Sequence, residues 1–278
     1  MLTCIPICDS LPMWEGCELD AYKIDDQISI FEKQNQLVVK SNELIRRSRY
    51  SLTMQEQKVI LFLISRVKPD DTDFQEYEFD VAEFCRICGV DCSGGKTFKD
   101  LIKTLSGLHD KSFWIETEDD RIMCTWVQKA KIKKRTLRLS VRLDEDLKPY
   151  LLQIKKNFTS YELSMTLPMK SKHSIRLYEL LKSYTYIGYK EYDIEKLKVL
   201  LDTAKYKEYK NFRVRVIDHA LSEINKYTDL DVSYEPRRTG RSITSIVFFI
   251  HKKDNTAGSI SALYARASRL NKGAVHHD

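Results

Sequence analysis

Glycine and proline are scarce in this chain, at nine and six of 278 residues. So few turn formers favour long helices and strands over a loop-rich fold. No apolar run approaches the roughly 20 residues that span a bilayer, and the first thirty residues lack the basic start and apolar core of a secretory signal. A membrane partner is therefore not expected, and a cytoplasmic location is. Cysteine is present but odd in number and uneven in place, at 4, 8, 17, 85, 88, 92 and 124. That argues against a fully paired disulfide framework and fits a reducing compartment. Apolar residues are not lacking: at 42% hydrophobic and 10% aromatic, the chain has enough to build cores, which excludes disorder as the whole answer.

The net charge of +6 is unevenly spread. Residues 1–34 hold seven acids against Lys23 and Lys33, a balance of −5, and the other 44 basic residues against 33 acids leave +11 on the body. A basic body favours a polyanion or an acidic surface as partner.

Hydrophobic spacing divides the chain into two similar halves. In the first, residues 41–67 read as helical with a break at Ser51, followed by a short strand at Tyr77 and Phe79. Asp80 and Glu83 have capping-box spacing at the head of a helix with Val81, Phe84, Ile87 and Cys88. A turn and a second helix over about 96–108 follow, then strands over 113–117, 121–130 and 136–143. The second half repeats the order: a helix over 174–184, a short strand at Glu191 and Tyr192, a helix headed by Asp193, a lysine-rich turn, a long helix over about 211–227, and a hairpin from 230–234 and 242–250. The expected fold is α+β, with two tandem winged-helix (helix-turn-helix) domains in a pseudo-two-fold arrangement. The expected domains are an acidic leader at 1–34, a first winged helix at 35–146, a second at 147–253 and a tail at 254–278.

In such folds the later helix enters the major groove while surrounding cations meet phosphates. In the second half, Asn211, Arg213 and Arg215 are the candidates for base readout, with Arg215 first because a 3.6 period places it opposite Phe212, Val216 and Ala220. Lys205, Lys207 and Lys210 are candidates for phosphate, as are Lys96, Thr97, Lys99 and Lys103 in the first half. Two hairpin tips would act as wings, one with Lys131, Lys133, Lys134 and Arg135, the other with Arg237, Arg238 and Arg241. For all of these a solvated charged surface is the alternative. Cys85, Cys88 and Cys92 have metal-like spacing, but one cysteine pair needs two further ligands, so packed thiols are expected and no metal. The run Gly94-Gly95-Lys96-Thr97 lacks the upstream glycine of a phosphate-binding loop. No local triad and no carboxylate cluster for catalytic magnesium is visible, so neither enzyme activity nor a cofactor is expected.

Longer blocks carry a family resemblance. Asn157-Phe158-Thr159-Ser160-Tyr161-Glu162-Leu163, Ser174-Ile175-Arg176-Leu177-Tyr178-Glu179-Leu180-Leu181-Lys182, Tyr209-Lys210-Asn211-Phe212-Arg213-Val214-Arg215-Val216-Ile217 and Ile246-Val247-Phe248-Phe249-Ile250 resemble the plasmid replication initiators with two winged helices, the theta-type family that binds iterons. Leu52-Thr53-x-x-Glu56-x-Lys58 is similar to that family's opening. The resemblance covers roughly 35–253 and leaves out the leader and the tail, and His173 stands where an aromatic is more usual. It implies a monomer that binds direct repeats in double-stranded origin DNA, the second domain reading the major groove and the first lying on the backbone. It also implies a homodimer that represses its own gene from an operator inverted repeat, and contacts with host replication initiator and helicase machinery. The rivals are a winged-helix transcription regulator without initiator activity, a relaxase-like enzyme and a protein-interaction module.

Overall fold

The computed structural model describes residue 33 and residues 36–68, 71–88, 95–117, 119–133, 136 and 138–253, the side chains of 88 and 95–98 aside. The same three-stranded sheet occurs twice. In the first half, β3 (Tyr77–Asp80) pairs with β7 (Arg138–Leu143), which pairs with β6 (Val127–Lys133). In the second, β9 (Tyr189–Asp193) pairs with β11 (Ser242–Lys252), which pairs with β10 (Leu230–Thr239). All these pairings are antiparallel, and in each half a short strand before the helix-turn-helix joins the second strand of the wing. This is the expected pair of winged helices.

The first unit opens with β1 (Leu37–Ser41), α1 (Asn42–Arg47), β2 (Ser48–Arg49) and α2 (Met54–Ile64). The single interrupted helix expected over 41–67 is thus two helices. The restart is encoded locally. Thr53 Oγ1 accepts from the Glu56 amide at 3.2 Å, and Glu56 Oε2 accepts from the Thr53 amide at 2.7 Å, a reciprocal cap. Losing such a cap costs about 1 kcal/mol. Glu56 also takes Lys111 Nζ at 2.6 Å and lies against Gly107, where any Cβ would collide with its carboxylate. The central stretch of α2 is buried all round, as its apolar run predicts. Phe62 sits edge-on to Phe79 and Phe84 at 5.1 and 5.3 Å, joining α2 to β3 and to α3 (Val81–Cys88). Each such aromatic pair adds about 0.5–1.5 kcal/mol beyond burial.

After α4 (Gly95–Asp110) come β4 (Phe113–Glu116) and β5 (Arg121–Cys124); β4 pairs with both β2 and β5 in a separate sheet. The single strand expected over 121–130 is therefore two strands in different sheets. The chain turns where Asp144 accepts from both the amide and the hydroxyl of Thr125, and Trp126 is buried beside Phe113 at 4.5 Å. The short α5 (Lys148–Leu151), with Pro149 near its start, leads to β8 (Phe158–Glu162), which pairs with β1. This pairing crosses the domain boundary expected at 146/147.

The second unit begins with α6 (Lys172–Lys182). Tyr178 donates to Asp229 at 3.1 Å, and Glu223 accepts the Lys170 and Ser171 amides at 2.9 and 3.3 Å. The half-buried His173 ring pairs with the Leu201 carbonyl at 2.9 Å, and burial with Lys172 nearby lowers its pKa. The helix-turn-helix follows as α7 (Ile194–Leu200), α8 (Tyr209–Phe212), a π-helical turn (Arg213–Asp218) and α9 (His219–Tyr227). No helix among the described residues is long and apolar enough to cross a membrane.

Candidate nucleic-acid interface

In the second unit, Asp193 caps α7 by accepting the Lys196 amide at 3.0 Å. The turn behind it is pinned at both ends. Asp202, at φ +54°, takes Lys172 at 2.8 Å, and buried Lys198 reaches Glu195 at 2.7 Å and the Lys207 carbonyl at 3.3 Å. The turn therefore presents Lys205, Lys207 and Lys210 outward, all three exposed.

The reading helix from α8 through α9 buries Phe212, Val216, Ile217, Ala220 and Ile224, which fixes its rotation against the core. Asn211, Arg213, Val214, Arg215 and Asp218 remain exposed. A regular 3.6 period was expected here; the structure instead has a π turn over Arg213–Asp218. Its i→i+5 bonding widens the turn, so angular positions inferred from an α-helix do not carry over to Arg213 and Arg215. Their partners separate the three candidates. Asn211 donates to Glu208 at 2.9 Å, and Arg213 lies 3.6 Å from Asp218, which also accepts from Tyr234 at 2.6 Å. Arg215 is exposed and has no hydrogen-bond or ion-pair partner among the described residues.

The wing beside this helix, β10 to β11, turns at Gly240 with φ +62°, a left-handed position that suits glycine. Arg237 lies 3.8 Å from Glu235. Arg238 and Arg241 are exposed without a partner among the described residues.

The first unit presents its charges differently. On α4, Lys99 and Lys103 are exposed opposite buried Leu101, Leu105 and Leu108, and the side chains of Lys96 and Thr97 lie outside the described residues. So does the turn over 89–94 that contains Gly94. On the wing, Lys129, Lys131 and Lys133 alternate along β6, as a strand's period of two requires. Acids lie close by, at β3 and just after β7. Lys129 pairs with Glu76 at 2.8 Å, Lys133 with Glu78 at 3.1 Å, and Arg142 with Glu145 at 3.0 Å. Hydrogen bonds from Lys129 and Ser140 hold the Glu76 carboxyl down at about 2. Lys131 is exposed, while Lys134 and Arg135 lie outside the described residues.

The cysteine expectation needs one correction. Cys85 is buried as expected, but its sulfur is disulfide-bonded, to a partner outside the described side chains. The nearest further candidate ligands in the sequence, His109 and Cys124, are engaged elsewhere. His109 pairs with the Val127 carbonyl at 2.9 Å, and burial, with Asp146 and Asp144 nearby, pushes the Cys124 thiol up to about 11. Among the described residues no group of three metal-ligating side chains comes together.

Sequence reasoning missed two features. One is the acidic partnering of the first wing, for which the alternation of Glu76 and Glu78 with apolar Tyr77 and Phe79 was the available signal. The other is a groove of about 680 Å³ between the units, lined by Arg47, Arg49 and Lys196 together with Glu116 and Glu195. Nothing local in the sequence marks it, because its walls come from distant elements.

Comparison with known proteins agrees with this architecture. Residues 37–182 match the family described as "Initiator Replication protein, WH1", and residues 193–250 match "Initiator Rep protein, WH2". A "Replication initiation protein" of Escherichia coli is 26% identical over 227 residues, covering 76% of this chain and 68% of that protein. In fold, the chain resembles the crystal structure of Pi initiator protein in complex with iteron DNA, with a TM-score of 0.66 at 16% identity over 80% of this chain and 99% of the other. The first match extends through β8 and α6, and the second covers the helix-turn-helix and wing that follow; together they show that the chain belongs to the family of replication initiator proteins.

Proposed function

We propose that this protein initiates plasmid replication by binding direct repeats (iterons) in double-stranded origin DNA. The second unit reads bases in the major groove through Arg215, assisted by Asn211 and Arg213. Its wing and the first unit hold the phosphate backbone. The observation that carries this reading is an exposed arginine without a partner among the described residues, on a helix whose rotation is fixed by Phe212 and Val216, flanked by a wing where Arg238 and Arg241 likewise have none among them. An arginine fork matches guanine's two major-groove acceptors. The likeness in fold to the Pi initiator, solved in complex with iteron DNA, supports the choice of ligand.

The proposed role includes helping to open the origin, recruiting host replication initiator and helicase machinery, and repressing the protein's own gene as a homodimer on an inverted repeat. We place it in the cytoplasm and assign it no enzymatic step, since positioning and strain on DNA suffice for these tasks. The test is a titration of the full chain against tandem repeats flanking its gene and against scrambled duplex of equal length at several salt concentrations. Preference for the repeat that persists at moderate salt supports the reading. Equal affinity for both duplexes, falling together with salt, would reject it.

A further inference from the structure

The two units share a buried ionic joint. β1 leads into the first helix of the first unit and β8 leads toward α6, the first helix of the second, and these two strands pair with each other from Leu37↔Glu162 to Ser41↔Phe158. Backbone bonds extend the pairing at both ends, from the Asn42 amide to the Asn157 carbonyl at 2.7 Å and from the Leu163 amide to the Gln36 carbonyl at 3.0 Å. Beneath it, Lys40 Nζ meets Glu179 Oε1 at 2.6 Å, with the two side chains only 3% and 2% exposed. Tyr161 donates to the same carboxylate at 2.6 Å, and the Tyr50 hydroxyl approaches its other oxygen at 3.4 Å. Arg176, also on α6, crosses back to donate to the Ser48 carbonyl at 2.9 Å and lies 4.5 Å over the Tyr50 ring. At the half-buried outer end, Arg46 bonds Ser183 and stacks 3.9 Å over Tyr184.

Stability alone does not explain these groups. Buried ion pairs are expensive to desolvate, and apolar side chains of similar size hold such a joint at least as firmly. What an apolar contact lacks is direction, whereas a carboxylate bound from three sides accepts only a narrow range of settings. Lys40 is fastened to the first unit's core, 5.9 Å from the Trp126 ring, and Glu179 to the second unit's first helix. A rotation of one unit against the other would therefore break the Lys40–Glu179 and Arg176–Ser48 contacts together.

We infer that Lys40, Arg176 and Glu179 are positioning residues that set the distance and angle between the two DNA-binding units, so that the protein measures the spacing between its two contact tracts within a repeat. The inference rests on the DNA-binding reading above. One inserted base pair displaces the second tract by about 3.4 Å and rotates it by about 35°. A rigid joint cannot follow both changes.

The probe is a duplex selected by the full wild-type chain from a random-sequence pool, with its two protected tracts located by hydroxyl-radical footprinting. Matching duplexes carry one base pair inserted or deleted between the tracts. Wild type is expected to lose at least tenfold in affinity on either change. Glu179→Gln, and the uncharged double variant Lys40→Met with Glu179→Met, are expected to lose threefold or less while keeping the protection of each separate tract. Circular dichroism separates positioning from folding, because the double variant leaves the Tyr161 hydroxyl without its carboxylate and only variants with a wild-type spectrum and a cooperative unfolding transition are scored. Arg46→Ala, at the outer end, provides a milder variant with a discrimination reduced about threefold. Folded variants that keep the wild-type spacing preference would overturn the inference, as would a wild type indifferent to spacing. Failure of the selection to yield any preferred duplex would instead overturn the DNA-binding reading on which it rests.

Discussion

Among the described residues, the second unit leaves Arg215, Arg238 and Arg241 without partners, and the first unit pairs Lys129, Lys133 and Arg142 on its wing. The three arginines stand exposed, whereas Lys129 and Lys133 are held across β7 by Glu76, just before β3, and Glu78, on β3. The two share one topology but not one charge: residues 35–146 hold 20 basic against 19 acidic residues, and residues 147–253 hold 21 against 12. Partnering follows that difference. An unpaired guanidinium keeps all its donors for a base or phosphate, while a paired lysine must first exchange its carboxylate. That exchange is cheap at a surface, because an exposed ion pair contributes about 0–1 kcal/mol. This difference supports the proposed division, with sequence-tolerant contact by the first unit and base readout by the second.

The largest effect that tests this contrast is expected at Arg215. A good bidentate base contact discriminates by about 1–3 kcal/mol, or roughly 5- to 150-fold. Arg215→Ala should lose affinity in that range for the cognate repeat and flatten preference at one base pair, with folding unchanged by circular dichroism because the side chain is outside the core. A panel of single-base-substituted repeats reads this directly. Equal loss across the panel would move Arg215 to the backbone, and no loss would place it on a solvated face. Arg213→Ala serves as the comparison: its Asp218 contact should leave it with a smaller share of the discrimination.

A second, smaller effect concerns the wings. Each lost phosphate contact lowers the salt slope by about one unit. Replacing both Arg238 and Arg241 with alanine should lower it by about two and weaken cognate and scrambled duplexes alike. The same double replacement at Lys129 and Lys133 should lower it by less, since each already has a carboxylate partner. Equal slopes for the two double variants would erase the distinction between the wings.

How far this contrast could be read from sequence depends on distance along the chain. The helices, the short leading strands and the wings were legible because burial patterns repeat every two or 3.6 residues, and Asp80 with Glu83 marked a helix start where the Glu83 amide donates to the Asp80 carboxylate. The π turn was not legible, because Phe212, Val216 and Ala220 fit an α-helical period equally well. The break between β5 and β6 depends on Asp144, nineteen residues from Thr125. The joint depends on Lys40 and Glu179, which lie 139 residues apart. Lys40 read alone is an ordinary basic residue, and Glu179 is an unremarked acid inside a family block. The candidate DNA-binding cations were legible as a set, but which of them are free was not, since their partners sit on other strands.

The smallest expected effect comes from releasing a paired cation instead of removing a free one. Glu76 accepts from Lys129 at 2.8 Å and from Ser140 at 2.7 Å on an exposed sheet face. Glu76→Gln keeps an oxygen for Ser140 and removes only the charge that occupies Lys129. If the wing lies along DNA, cognate and scrambled duplexes should both bind more tightly, by up to about fivefold, and the salt slope should rise by at most about one unit. Acid should not reproduce this effect at ordinary pH. A carboxyl held down at about 2 is ionised throughout the range above that value, so lowering the pH from 7 to 5 leaves the Lys129 pair intact. The variant and wild type should therefore differ by the same factor at both pH values, as fluorescence anisotropy titrations with matched ionic strength would measure. A difference that disappears at pH 5 would mean that Glu76 loses its charge far above 2, and no difference at either pH would take this face of the first wing away from the DNA.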